Sequence, residues 1–381
     1  MTTDATQPLD VFEAVCNDFY APAREAAALG TPIAGFACSY SPQEMVHAAG
    51  YMPVRILGRP GGTPQADEIL QAYACSLARS SLDSGLAGEL DFMDLAVFSH
   101  TCDTMQNVAD LWQRNVPGME TLIVSMPNRT TGEAAHTYLR KELERVRTWL
   151  EERAGTISGE QLTASIALFQ RHRTVMQRLY ALRRKQPGLM TGAQMNAVVT
   201  ASMLMAKEKH LALLTQLVDA LETRSNGAEA SDAPRILVSG SLCQNRQFIS
   251  TLEASGCQVV DDDLCMGARS FTIPDAKAED PIEALAGMYL ERRPCPAFHT
   301  PGFDPGDHLV ERAKQAQADG VVFLLTKFCD PWFFDYPHAS KKLEAAGVPT
   351  LLLEIEQNQP VPEQFKTRAQ AFFEMLEVGA A

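Results

Sequence analysis

Basic residues are in short supply in this sequence: 33 lysines and arginines stand against 47 acidic residues, a formal net charge of -14 at pH 7. A nucleic-acid binder needs a cationic face to neutralise phosphates, so the charge balance argues against that class. No run of about 18 apolar residues occurs, as a membrane span would require. The opening MTTDATQPLDVFEAV lacks the basic start and apolar centre of a secretory leader. Together these absences predict a cytoplasmic protein with neither nucleic acid nor membrane among its partners. Cys-x-x-Cys pairs are also missing, which removes zinc-ribbon and thioredoxin-type patterns. There is no Gly-rich P-loop, so the chain is not expected to hydrolyse ATP itself.

With 381 residues, 46% of them hydrophobic, the chain is long enough for more than one core. The first part alternates short apolar runs (TPIAGFACSY, MPVRILG, DLAVFSH, TLIVSMP) with helix-length stretches, one of them running from about Asp67 to Gly85. Strands separated by helices favour a parallel sheet covered on its faces. From about Thr131 to Ala228 charges and helix formers recur at helical spacing, and SNGAEASDAP then reads as a linker. After Pro234 the alternation returns in RILVSGSL, CQVVDDDL, VVFLLTKF and VPTLLLEI. The expected fold class is α/β, with an N-terminal lobe over 1–130, a helical segment and linker over 131–230, and a C-terminal lobe over 231–381. Two similar lobes commonly leave a cleft between them.

Nine cysteines in a reducing compartment argue for ligands or packed thiols rather than disulfides. In open parallel sheets ligands lie beyond the carboxyl ends of the strands. Four cysteines fall there: Cys38, Cys102, Cys243 and Cys329. The two halves echo each other, DLAVFSHTCD in one and VVFLLTKFCD in the other, which makes Cys102 and Cys329 the leading pair. Cys75, in AYACSLARSSLD, is the natural third member. Dispersed single thiolates suit an iron–sulfur cluster built at an interface; free cysteines packed as small hydrophobes are the plainer alternative.

The segments FACSYSPQEMVHAAGYMPVRILG, ACSLARSSLD, ELDFMDLAVFSHTCDTMQNVADLW, VVDDDLCMGAR and GVVFLLTKFCDPWFFDYPHASKKLEAAGVPTLLLEIE occur in order along the chain. Together they resemble the 2-hydroxyacyl-CoA dehydratase and benzoyl-CoA reductase family. The resemblance implies two flavodoxin-like lobes and a 4Fe-4S cluster with one iron open to water or substrate. The matching ligand positions are Cys75, Cys102 and Cys329. It also implies an acyl-CoA substrate, a related second subunit, and an ATP-dependent iron–sulfur activator that donates one electron at very low potential. The chemistry is radical dehydration of a 2-hydroxyacyl-CoA or reduction of an aromatic acyl-CoA. Two other readings stand beside it: a homodimeric double-cubane reductase of small molecules, needing six cluster cysteines per chain, and a non-catalytic α/β binding module.

Other residues carry weaker expectations. His100 and His47 are candidate proton relays. Cys38, Cys243 and Cys265 are candidates for lining the site or supporting a larger cluster, whereas Cys16, Cys257 and Cys295 read as structural. Ser39 is a candidate substrate contact, and Ser41 and Glu44 read as a helix-start signal. Asp103 and Asp330 read as caps of the following helices. Arg79 and Arg269 are candidates for CoA phosphates, and Trp332-Phe333-Phe334 is a candidate water shield.

Overall fold

The computed structural model describes residues 5–224, 232–292 and 294–380. Most of the expected linker lies outside these described residues. The first lobe runs α1 (Thr6–Asn17), α2 (Ala21–Ala28), β1 (Ile33–Phe36), α3 (Gln43–Ala48), β2 (Met52–Arg55), α4 (Pro64–Asp67), α5 (Ser76–Leu86), β3 (Leu95–His100), α6 (Asp103–Asn115) and β4 (Glu120–Ser125). The helical segment follows as α7 (Glu133–Ala154), α8 (Gly159–Lys185), α9 (Gly192–Ser202) and α10 (Lys207–Arg224). The second lobe is β5 (Arg235–Gly240), α11 (Gln247–Ala254), β6 (Gln258–Leu264), α12 (Ala268–Phe271), α13 (Pro281–Glu291), α14 (Pro305–Ala316), β7 (Gly320–Thr326), α15 (Asp330–Ala345), β8 (Thr350–Ile355) and α16 (Glu363–Ala380).

Each lobe holds a four-stranded parallel sheet, in the orders β2-β1-β3-β4 and β6-β5-β7-β8. The second order is the first with four added to each strand, so the echo of DLAVFSHTCD in VVFLLTKFCD is a structural equivalence of β3 and β7. This is the flavodoxin-type order. In each sheet the winding reverses between the two central strands, β1 and β3 in one lobe and β5 and β7 in the other. The loops there splay apart and leave a crevice at the strands' carboxyl ends.

The strands form where apolar, β-branched runs can be covered on both faces, and β7 is buried over all seven residues. Helix α6 buries Met105, Val108, Ala109 and Trp112, a helical stripe facing the sheet. Helices α8 and α9 each open on a capping box, Ser158 with Gln161 and Thr191 with Gln194. The helical segment shares one hydrophobic core with the first sheet and α13. The second sheet is covered on one face by α11 and α16 and on the other by α14 and α15. No helix among the described residues is long and apolar enough to cross a membrane.

The expected long helix from Asp67 to Gly85 is interrupted. Helix α4 ends at Asp67 and α5 begins only at Ser76, with Cys75 as its N-cap residue. The break lets α5 lie close against its neighbours: a Cβ on Gly58 would meet Ser80 Oγ at 1.7 Å, and one on Gly85 would meet the Trp112 ring at 2.7 Å.

Candidate functional site

The three cysteines singled out first share one local geometry. Cys75, Cys102 and Cys329 are the N-cap residues of α5, α6 and α15. A helix N-terminus presents unpaired N–H groups and the positive end of the helix dipole, which favour a thiolate there. The N–H groups of Ala78 and Leu77 act on Cys75, those of Met105 and Thr104 on Cys102, and that of Trp332 on Cys329. Burial outweighs them and raises all three thiols, Cys102 to about 11. Left to themselves the sulfurs are protonated; a soft, positively charged metal centre would displace those protons. Phe328 holds a left-handed backbone, φ 64°, immediately before Cys329. That conformation is unusual for a bulky side chain and turns the chain from β7 into α15.

These cysteines open into one cavity of about 120 Å³ at the facing carboxyl ends of the two sheets. Its walls also carry Cys38, Cys265 and Cys295, so six cysteines line it. Cys38 lies two residues beyond β1, and Cys265 directly follows β6. Cys295 comes from the loop after α13, where its backbone N–H donates to Tyr40 Oη at 3.2 Å. The expectation that Cys295 is merely structural is corrected by this placement. Cys243 is turned the other way, fully buried in the second lobe's core, so it drops out of the candidate set. All nine cysteines are free. Among the described residues no three His, Cys, Asp or Glu side chains close around a single metal ion. A cluster, in contrast, binds each thiolate at a different iron.

Cys38, Cys265 and Cys295 face a cationic surface. Arg55, Arg269 and Arg292 line the cavity beside them, each buried. Cys265 is lowered to about 7, first by the Cys295 thiol beside it and then by the three guanidiniums, against the effect of burial. Arg269 is neutralised by Asp263, at 2.8 and 3.1 Å, and its guanidinium lies 4.6 Å from the Trp332 ring centre. Among the described residues, Arg55 and Arg292 make no ion pair. Arg55 donates to Ser39 Oγ at 3.3 Å and Arg292 to the Ser39 carbonyl at 2.6 Å, and the Nε atoms of both are buried without a partner. Two buried guanidiniums without carboxylates give this side of the cavity a positive charge that an anionic group could balance.

The seam between the lobes is held by amides. Gln357 Nε2 donates to the Leu242 carbonyl at 2.6 Å, and its backbone N–H donates to Ser76 Oγ at 3.0 Å, one residue from Cys75. Gln244 Nε2 donates to the Gly58 carbonyl at 3.0 Å. From α13, Tyr289 Oη donates to the Ser41 carbonyl at 2.9 Å.

The remaining expectations fare unevenly. His100 ends β3 and does not line the cavity. His47 lies on α3, also away from the cavity, bonded to Ser165 Oγ and to Glu208 Oε1, each at 2.9 Å. Ser39 does line the cavity. Ser41 and Glu44 do not cap α3: Ser41 Oγ meets the Val97 carbonyl and Ser99, while Glu44 pairs with Arg173 at 2.9 Å. Asp103 and Asp330 lie in the first turn of their helices, since the cysteines occupy the cap positions. Arg79 is engaged by Glu356 and Asp67, and Arg269 is buried rather than at the surface. Of the aromatic run only Trp332 lines the cavity; Phe334 is 84% exposed.

The fold and site thus define a two-lobed α/β protein with a thiol-lined cavity at its paired switch points. Residues 38–376 match the family described as 2-hydroxyglutaryl-CoA dehydratase, D-component, and the chain belongs to that family. It is 31% identical to the beta subunit of lactoyl-CoA dehydratase from Anaerotignum propionicum, across 92% of this chain and 93% of that one. Against the beta subunit of (R)-phenyllactyl-CoA dehydratase from Clostridium sporogenes the identity is 30%, over 88% and 90%. A benzoyl-CoA reductase subunit from Thauera aromatica is 29% identical, over 87% and 88%. The family resemblance seen in the sequence motifs therefore holds, across both dehydratase and reductase subunits.

Proposed function

We propose that this chain is the iron–sulfur subunit of a cytoplasmic acyl-CoA dehydratase or aromatic acyl-CoA reductase, with a 4Fe-4S cluster held by Cys75, Cys102 and Cys329. The observation that carries this reading is the convergence of three N-cap cysteines, from both lobes, on one cavity. The donor set fits such a group: soft thiol ligands, unpaired by disulfides and backed by helix N-termini. When bound, the cluster supplies one-electron chemistry at low potential and an iron able to polarise an oxygen atom. The chain's own residues do the rest. Helices α5, α6 and α15 fix the ligands, Trp332 and Met105 add apolar surface beside the thiols, and Gln357 ties the two lobes behind Cys75. The subunit names of the relatives support a related second chain as partner. The reading also takes an acyl-CoA as substrate and an ATP-dependent iron–sulfur activator as electron donor.

A specific observation favours a second reading. Six cysteines line the cavity, the number that a homodimeric double-cubane reductase requires, with Cys38, Cys265 and Cys295 as the additional three. The test is iron and acid-labile sulfide per chain, with an electron paramagnetic resonance spectrum, on protein purified without oxygen. About four irons, lost in Cys75→Ala, Cys102→Ala and Cys329→Ala but kept in Cys295→Ala, support the single cluster. About eight, with roughly half lost in Cys295→Ala, select the double one. Absence of iron after reconstitution would sink both and leave a binding module.

A further inference from the structure

Behind the arginines of the cavity lies a second, smaller chamber of about 40 Å³. Ser39 and Arg292 line both spaces, so the two adjoin. The chamber is built at the meeting of α3, α8, α13 and the start of α10. Its charged groups are Arg173, Lys207, Arg292 and Glu44, all buried.

The charges do not balance. Glu44 is the one carboxylate among the lining residues: Oε1 accepts from Arg173 at 2.9 Å, and Oε2 lies 3.0 Å from Tyr289 Oη, whose single hydroxyl hydrogen it shares with the Ser41 carbonyl. Arg173 retains two buried nitrogens, Nε and Nη2, without a partner. Lys207 donates to the Ser202 carbonyl at 2.6 Å and stands 5.0 Å from the Phe169 ring centre, leaving two of its three N–H groups unused. His172 contributes no compensating charge. His210 Nε2 is bonded to the Val198 carbonyl and so carries a proton, which makes His210 Nδ1 the acceptor from His172 Nε2 at 3.0 Å. Setting Arg292 aside, Arg173 and Lys207 against Glu44 leave one positive charge on the lining; the other carboxylate near Lys207, Glu208, lies outside it, largely exposed and bonded to His47. An uncompensated buried charge is costly, so such charges are normally paired.

We propose that this chamber is a binding site for one small inorganic monoanion of halide size, held by Arg173 Nε and Nη2 and by Lys207 Nζ. The volume fits one such ion, since a single water already requires roughly 10–15 Å³ of such space. The anion completes the charge balance of the helical segment and supports the cationic wall from behind through Arg292. The site is independent of the iron–sulfur reading, because every residue in it belongs to this chain and none is a thiol.

The test uses the full chain, purified without oxygen, and bromide as probe. Crystals grown in bromide are expected to show an anomalous peak between Arg173 and Lys207. In solution the unfolding midpoint is expected to rise when gluconate is replaced by chloride at constant ionic strength, as selective binding to the native state requires. Lys207→Met, which keeps an unbranched apolar stem against Phe169 and removes the charge, should lose both signals. Ordered water without a bromide peak, together with equal stability in chloride and gluconate, overturns the proposal. Should Lys207→Met fail to fold, the two measurements on the unaltered protein still decide it.

Discussion

On one wall of the cavity, Cys75, Cys102 and Cys329 are backed by backbone N–H groups at the ends of three helices. On the other, Cys38, Cys265 and Cys295 face Arg55, Arg269 and Arg292. Both arrangements favour negative charge on sulfur, but they differ in reach. Helix N-termini offer fixed dipoles that fade within a turn and need no counter-ion. Guanidiniums carry full charges, which burial makes costly unless something anionic faces them. The first wall is therefore complete without an occupant, and the second is not.

The largest effect that separates the walls is metal content. Removal of any N-cap cysteine should abolish the iron of a single-cluster protein, whereas removal of Cys295 should leave it intact. Equal losses from both walls would erase the distinction and show that the six thiols hold one unit. Next in size is the single neutralised arginine of the second wall. Asp263 is fully buried against Arg269 and His308. Asp263→Asn strands the Arg269 charge and should destabilise the iron-free protein by about 3–5 kcal/mol in urea unfolding. A loss below about 1 kcal/mol would mean that water reaches this wall and that its charges are screened.

A smaller contrast lies in thiol reactivity. The attacking species in alkylation is the thiolate. With Cys265 lowered to about 7 and Cys102 raised to about 11, iodoacetamide at pH 7.5 should label Cys265 of the iron-free protein first. The margin should be on the order of tens-fold, once the weaker nucleophilicity of a low-pKa thiolate is allowed for. Mass-spectrometric site mapping over time measures it. As pH falls through 7, the Cys265 rate should drop with its thiolate fraction. A rate for Cys102 equal to that for Cys265 would remove the electrostatic asymmetry.

Much of this arrangement was legible in the sequence, and the parts that were not have physical reasons. The strands announced themselves because β3 and β7 carry apolar runs, LAVF and VVFLL, and the repeated apolar-run-then-Cys-Asp pattern located Cys102 and Cys329. Cys75 came from its segment alone, because good helix formers from Asp67 to Gly85 hide the break at which it caps α5. Cys243 and Cys38 follow equivalent strands, yet one points into a core and the other into the cavity, a choice made by loop packing. Cys295 follows no strand; only its setting between Pro294 and Pro296 marked it as a fixed, extended loop position. Arg55 and Arg292 were missed for a similar reason, although Arg55 gave a signal: a full charge at the end of MPVR, in a strand buried throughout.

The smallest expected effect is the most discriminating, because its sign matters more than its size. Arg55 is buried, has no carboxylate partner among the described residues, and leaves Nε unsatisfied; burial holds its guanidinium below the usual range. In the iron-free protein that charge is a burden, so Arg55→Met, which keeps an unbranched apolar stem beside Phe36, should change stability by about 1 kcal/mol or less, or raise it. In the iron-loaded protein the same change removes a cation from beside Cys38 and Cys265, and iron should be lost faster to a chelator than from the unaltered protein. The N-cap wall predicts no such reversal, since its N–H groups belong to the helices whatever the cavity holds. A variant that weakens the iron-free fold by several kcal/mol would show that Arg55 supports the structure itself. The second wall would then be built for the fold and not for an occupant.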